Sequence, residues 1–157
     1  MRCYLVQHGD ALPKDVDPDR ALSAAGRADV ERLAVFLKNP DRAVTRIMHS
    51  GKIRAHQSAE ILATTVAPGV AVEAITGIDP LDDPEPLARQ LMSWSDDAII
   101  VGHLPFLGKL VSSLVAGDPG VNLVSFLPGS VVCLERSDDS WTIVWMVRPE
   151  LLNRSSE

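Results

Sequence analysis

The chain has 157 residues, 46% of them hydrophobic and 23% charged, the balance of one globular domain with enough length to bury a core. Twenty-one acidic side chains against fifteen basic ones leave a net charge of -6, which opposes the broad cationic face of nucleic-acid binders and makes any basic site a local one. No apolar run approaches the roughly 18 residues of a membrane span, and "MRCYLVQHG" has neither a long apolar segment nor a cleavage site, so no membrane role and a cytoplasmic location are expected.

Residues 2–7 read as a strand that stops at His8 with Gly9 behind it. An Asp- and Pro-bearing loop leads to Ser23, a fitting N-cap for a helix over about 24–38, and Val30, Leu33, Ala34 and Leu37 follow the spacing of its buried stripe. "AVTRIMH" (43–49) is the next strand, with Ser50 placed to cap a helix over about 51–67, and "VAVEA" (70–74) is a short third strand. The acidic loop "GIDPLDDPEP" (77–86) enters a helix over about 85–94. "DAIIVG" (97–102) then has the unbroken apolar character of a strand covered on both faces, and it too ends on a histidine, His103. Pro105 suits the first turn of a helix reaching about 116, and 130–136 with 141–147 make a closing hairpin. Trp141 and Trp145, four apart, are expected on one face of that hairpin, in packing roles. Cys3 and Cys133, with no CxxC spacing, are expected as reduced, packed thiols.

Alternating strands and helices predict a three-layer α/β/α sandwich whose sheet is mainly parallel, with an antiparallel edge at the C-terminal end. The expectation is one domain over 1–157, its core about 1–147 and a short tail after it. Ligands of such sheets sit at the carboxyl ends of strands, where His8, His49 and His103 all fall and are expected to converge. Gly9 allows close approach of backbone to ligand, His103 lies just ahead of a helix, and Arg54, one turn into another helix, offers a planar fork for a phosphoryl group. These features suit an anion. His49 and His56 lack metal-ligand spacing and are expected at the rim or in structural roles, with no metal site.

"LVQHGDA", "SGKIRAHQSAE" and "VGHLPFLGKLVSSLVAGD", in that order and spacing, resemble the histidine phosphatase superfamily. The short length, "DPDRALSAAGR" and "GHLP" resemble its SixA-type phosphohistidine phosphatase branch, over roughly residues 1–147. The resemblance implies a phosphoglycerate mutase-like fold and a phosphoryl transfer that uses no metal and no other cofactor. At matching positions His8 would be the nucleophile, with Arg54 and His103 holding the phosphoryl oxygens. Gln7 and backbone N–H groups near Gly9 and Leu104 would complete the phosphate site. A neutral imidazole is a good nucleophile near pH 7, and a covalent intermediate divides hydrolysis into two easier steps.

The superfamily hallmark is Arg-His-Gly, and here Gln7 stands where the arginine would be. The loss of one fixed cation leaves two alternatives: Lys52, Arg46 or another cation substitutes, or the site is a slow enzyme or a phospho-ligand-binding module. Asp79, Asp82 and Asp83 are the candidates for a general acid, although Asp before Pro is also ordinary turn chemistry. Asp10 could orient an imidazole. The expected substrate is phosphohistidine in a protein, because protonated imidazole is a good leaving group and an uncapped site is open to a protein surface. A small sugar or metabolite phosphate is the alternative, with inorganic phosphate the product of either, and a monomer with neither nucleic-acid nor membrane partner is expected.

Overall fold

The structure is a computed structural model and describes residues 1–153. In chain order it contains β1 (Arg2–Gln7), α1 (Ala24–Leu37), β2 (Val44–His49), α2 (Ile53–Val66), β3 (Val72–Ala74), α3 (Glu85–Leu91), β4 (Asp97–Gly102), α4 (Phe106–Ala116), β5 (Val131–Ser137), β6 (Ser140–Val147) and α5 (Pro149–Leu152). The strands form one sheet in the order β3-β2-β4-β1-β5-β6. The first four positions are parallel, whereas β5 runs antiparallel to β1 and β6 antiparallel to β5. The mainly parallel sheet with an antiparallel C-terminal edge is therefore as the alternation predicted.

Period-2 alternation sends side chains of the same strands into two cores, one on each face. Leu5, Met48, Ile100 and Val132 meet Phe106, Leu107 and Leu110 of α4 and Leu87 and Leu91 of α3. Tyr4, Val6, Ile47, Ile99 and Val101 meet Val30, Leu33 and Ala34 of α1 and Ala59 and Leu62 of α2. All six residues of β4 are buried, which is why its sequence is an unbroken apolar run. The α1 stripe of Val30, Leu33, Ala34 and Leu37 is buried as expected, and the Ser23 side chain accepts from the Gly26 N–H as its N-cap. Both cysteines are free and buried, and burial pushes their thiols up, Cys133 to about 11. Among the described residues no helix is long and apolar enough to cross a membrane.

Four expectations are corrected. Helix α2 starts at Ile53 with Lys52 as N-cap and no side-chain cap bond, because Ser50 is engaged elsewhere. Helix α3 stops at Leu91 instead of about 94, as Met92 and Ser93 close onto Arg89 and Gln90 through i→i+3 bonds. The third strand has only three residues and lies at the sheet edge. Trp141 and Trp145 lie on opposite faces: Trp141 belongs to the α3/α4 core and Trp145 packs against the α1/α2 core. The register jumps between Cys133↔Trp145 and Leu134↔Ile143, so Val144 is an extra residue that reverses the alternation.

Candidate active site

Strands β1 and β4 are parallel neighbours in the register Gln7↔Gly102, so the next residue of each, His8 and His103, leaves the sheet side by side. The His8 N–H extends the ladder by one bond to the Gly102 carbonyl at 3.1 Å. The two rings stand 4.9 Å apart between centroids, inclined by 50°, and both side chains are buried. His8 Nδ1 is 2.7 Å from the Gly9 carbonyl. A carbonyl only accepts, so Nδ1 carries the hydrogen, and the lone pair of the neutral ring is on Nε2. Burial is the main force that lowers the His8 pKa to about 4, the Gly9 bond pulls it upward, and the charges of Arg54 and Arg20 press it down further. At neutral pH the ring is thus uncharged.

His103 is lowered to about 3, chiefly by burial and then by His8, Arg54, Lys52 and Arg20. Its Nε2 bonds the Ser50 hydroxyl at 2.6 Å, while Nδ1 is buried with no partner. This bond explains why Ser50 does not cap α2.

Arg54 is the second residue of α2. Its guanidinium is lowered by burial and by the Arg20 charge, and its Nε is buried without a partner. One turn later the fully buried Ser58 donates to the Arg54 carbonyl at 2.8 Å and accepts the Gly9 N–H at 3.0 Å. Ser58 thereby ties the first turn of α2 to the loop after His8. The sequence offered only a weak signal for it, a serine one helical turn after a candidate ligand. The Gly9 N–H is consequently bonded to Ser58. Gly9 is there for packing: a Cβ on it would stand 2.8 Å from the Gly26 carbonyl and from Val30 Cγ2.

Arg20 is the functional candidate that sequence reasoning missed. The loop from Asp10 to Ser23 doubles back through an Ala11↔Leu22 bridge and a Leu12 N–H to Ala21 carbonyl bond of 2.8 Å. This turn holds Arg20 at a φ of 52°, a conformation uncommon for a residue with a Cβ and frequent where function demands it. Its Nε donates to the Leu12 carbonyl at 3.2 Å, and its charge acts on His8, Arg54 and His103. The available signal is "DPDRALSAAGR", whose first arginine is Arg20. Arg20, Lys52 and Arg54 make a local cationic site on an acidic chain.

Gln7 is buried beside these groups in sequence, with Oε1 lacking a partner. Arg46 is excluded as its substitute, since its guanidinium pairs with Glu73 at 3.2 Å and lies 4.4 Å over the Trp94 ring. Lys52 remains within reach of His103 by charge. Leu104, next after His103, is part-exposed. The three-histidine convergence is reduced to two. His49 registers with Val101, below the level of His103; its Nδ1 accepts from the Gly51 N–H at 3.0 Å, and its ring stacks on His56 at 4.6 Å. His56 also meets Glu60 at 3.1 Å.

The acidic candidates serve their own loops. Asp82 accepts the Asp79 N–H at 2.8 Å and Asp83 accepts the Glu85 N–H at 3.0 Å, while Asp10 accepts the Ser23 hydroxyl at 2.7 Å instead of orienting an imidazole. Among the described residues no three His, Cys, Asp or Glu side chains gather to hold a metal ion.

No family model matches the chain. Phosphohistidine phosphatase SixA of Escherichia coli is 23% identical over 154 residues, 95% of this chain and 94% of that protein. The structure of the protein histidine phosphatase SixA complexed with tungstate superposes with a TM-score of 0.85 at 23% identity, over 98% of this chain and 100% of that one. The alpha-ribazole phosphatase of Shigella flexneri has the same fold, with a TM-score of 0.75 at 15% identity over 91% of this chain and 94% of that one. Over nearly its full length the chain is thus similar to the SixA phosphohistidine phosphatase, and it shares the fold of SixA and of the alpha-ribazole phosphatase.

Proposed function

We propose that the protein is a metal-independent phosphatase that acts on phosphohistidine in proteins through a phosphoryl group carried on His8. The observation that carries this reading is the state of His8: a neutral ring whose Nδ1–H is fixed by the Gly9 carbonyl, with Nε2 left as nucleophile among Arg20, Arg54 and His103. The Nε2 lone pair attacks phosphorus as the bond from phosphorus to the substrate nitrogen breaks. Water then attacks phosphorus, the bond to Nε2 breaks, and inorganic phosphate leaves. Arg20 and Arg54 oppose the charge on the transferred oxygens, the task that the cationic cluster suits and that would repel a metal cation.

Phosphohistidine is favoured as substrate because its imidazole, protonated on the other ring nitrogen, departs neutral and asks little of a general acid. A carboxylic acid from Asp79, Asp82 or Asp83 is then not required, and the carboxylates of Asp82 and Asp83 already accept the Asp79 and Glu85 N–H groups. A tetrahedral oxyanion, tungstate, occupies the SixA relative, in keeping with an anion-binding role for this edge. The test is to incubate the protein with a phosphorylated histidine carrier domain and, separately, with a panel of metabolite phosphates, each with EDTA. Turnover of the carrier, with an acid-labile and base-stable phosphoenzyme on His8, is expected. Turnover of metabolites alone overturns the substrate, and phosphate binding without any turnover makes the protein a binding module.

A further inference from the structure

Helix α2 carries three polar side chains on one face, Arg54, Gln57 and Ser58, at spacings of three and four. Arg54 faces the phosphoryl oxygens in the proposed reaction, and Ser58 is the buried tie to the Gly9 N–H. Gln57, between them, reaches a different loop: its Oε1 accepts the Leu22 N–H at 2.8 Å, across 35 residues of sequence. Leu22 lies two residues after Arg20.

Local bonds give the turn around Arg20 its shape. The Asp17 carboxylate accepts the Asp19 N–H at 3.1 Å and the Ala21 N–H at 2.9 Å, and the Arg20 N–H donates to the Asp17 carbonyl at 3.0 Å. These bonds keep Arg20 at its φ of 52°, but they join residues no more than four apart and do not set where the turn lies against the histidines. The bond from Leu22 to Gln57 carries the turn across to the helix of Arg54. Leu22 also lies against the nucleophile loop, since a Cβ on Gly9 would meet Leu22 Cδ2 at 3.1 Å. Among the described residues no carboxylate pairs with Arg20, so its charge is placed by backbone anchoring instead of by an ion pair.

We propose that Gln57 is a positioning residue for the phosphoryl transfer: by holding Leu22 it fixes Arg20 in place beside Arg54 and His8. The inference rests on the proposed reading of the site and adds the residue that aligns its loop-borne cation. With Gln7 in the position before His8, the second guanidinium of the site comes from Arg20, on a loop. Such a charge stabilises a transition state to the extent that it is held before the substrate arrives. A helix gives Arg54 that rigidity, and Gln57 extends it to Arg20. Removing the acceptor lets Arg20 withdraw. Stabilisation of the transferred oxygens then weakens, and the positive charge that presses His8 and His103 down is relieved.

The test is a double-mutant cycle on free phosphohistidine with Gln57→Leu, which keeps the size of the side chain and removes the acceptor, Arg20→Ala, and the two combined. Gln57→Leu is expected to lower kcat/KM at least fivefold and Arg20→Ala to lower it further. The double variant should stay within twofold of Arg20→Ala alone, because a residue that acts through another adds nothing once that other is gone. In the ligand-free protein the NMR titrations of His8 and His103 should move upward in Gln57→Leu, the same direction as in Arg20→Ala, a shift that a loss of packing alone does not produce. Losses that multiply in the double variant, a Gln57→Leu rate within twofold of wild type, or unmoved titrations overturn the role of Gln57. Inorganic phosphate separates this failure from that of the catalytic reading: the same cycle in its dissociation constant supports the role even if turnover is absent, and equal or no binding in all four proteins overturns it. Should Gln57→Leu lose the wild-type circular dichroism spectrum, Gln57→Asn, whose amide is one methylene shorter, takes its place in the same cycle.

Discussion

Strand β4 opens on Asp97 and runs out into His103, and these two buried polar residues meet their surroundings differently. Asp97 accepts from Arg42 Nε at 2.9 Å, from Arg42 Nη2 at 3.0 Å and from the Arg2 N–H at 2.8 Å. Arg2 in turn pairs with Glu135 at 2.9 Å. At the other edge of the same strands His103 Nδ1, Gln7 Oε1 and Arg54 Nε are buried with nothing to bond. A buried polar atom without a partner costs about 1–3 kcal/mol, so the carboxyl edge is destabilised in return for donors and acceptors held ready. The amino edge closes the sheet and the carboxyl edge is built for an anion.

Substitutions at the two edges should therefore part stability from activity. The largest effect is expected for His8→Ala, which removes the nucleophile: phosphoenzyme formation and hydrolysis of phosphohistidine should fall by at least about a thousandfold, while the thermal midpoint stays level or rises. A phosphoenzyme that persisted without His8 would move the nucleophile elsewhere. Asp97→Ala should do the reverse. Leaving Arg42 and the Arg2 N–H without their acceptor should lower stability by about 2–3 kcal/mol, moderated by the partial exposure of Arg42. The thermal midpoint should drop by roughly 5–10 °C, with kcat of the folded protein within twofold of wild type. An equal loss of kcat would show that the two edges are coupled.

Gln7→Arg sharpens the contrast at its softest point. A guanidinium near the phosphoryl oxygens should lower the barrier by about 1–3 kcal/mol, tenfold or more in rate. With Arg20, Lys52 and Arg54 already near the histidines, the opposing outcome is crowding by like charge, read as flat or reduced turnover in a folded protein. The smallest effects are in pH. The rings of His8 and His103 should stay neutral on acidification to about 4 and about 3, respectively, when followed by NMR in the ligand-free protein. In the unfolded chain the same rings protonate near 6.5, so the unfolded state binds more protons between that pH and the folded values. Stability should fall as pH drops through this window. Inorganic phosphate should shift both titrations upward, since its charge opposes that of the arginines; titrations unmoved by saturating phosphate would count against an anion site.

What could be read from the chain was what is periodic or punctuated. The apolar run of β4, the stripe of α1 and the two histidines just past strand ends were legible because alternation and helical spacing report burial directly. Arg20 was not, since it reaches the site through a doubled-back loop held by bonds between residues far apart in sequence terms, Leu22 to Gln57 among them at 2.8 Å. The offset that leaves His49 beside Val101 is a property of strand register, which no single strand's sequence contains. Ser50 was seen as a cap because its local context fits one; a 2.6 Å bond to a histidine on another strand outweighs it.

The extra residue Val144 gives the protein two separate optical reporters. Trp141 has its indole Nε1–H at 3.2 Å from Met92 Sδ on the α3/α4 side, while Trp145 stands 5.4 Å from Phe36 and 6.1 Å from Tyr4 on the α1/α2 side. With Trp94 replaced by Phe, variants that keep only one of the two indoles would follow the melting of each helical layer through its own fluorescence. Superimposable denaturant curves would mean that the sheet transmits unfolding from one layer to the other as a single cooperative event. Curves that separate would identify which layer lets go first, and hence whether α2, which carries Arg54, or α4, which follows His103, governs the lifetime of the assembled site.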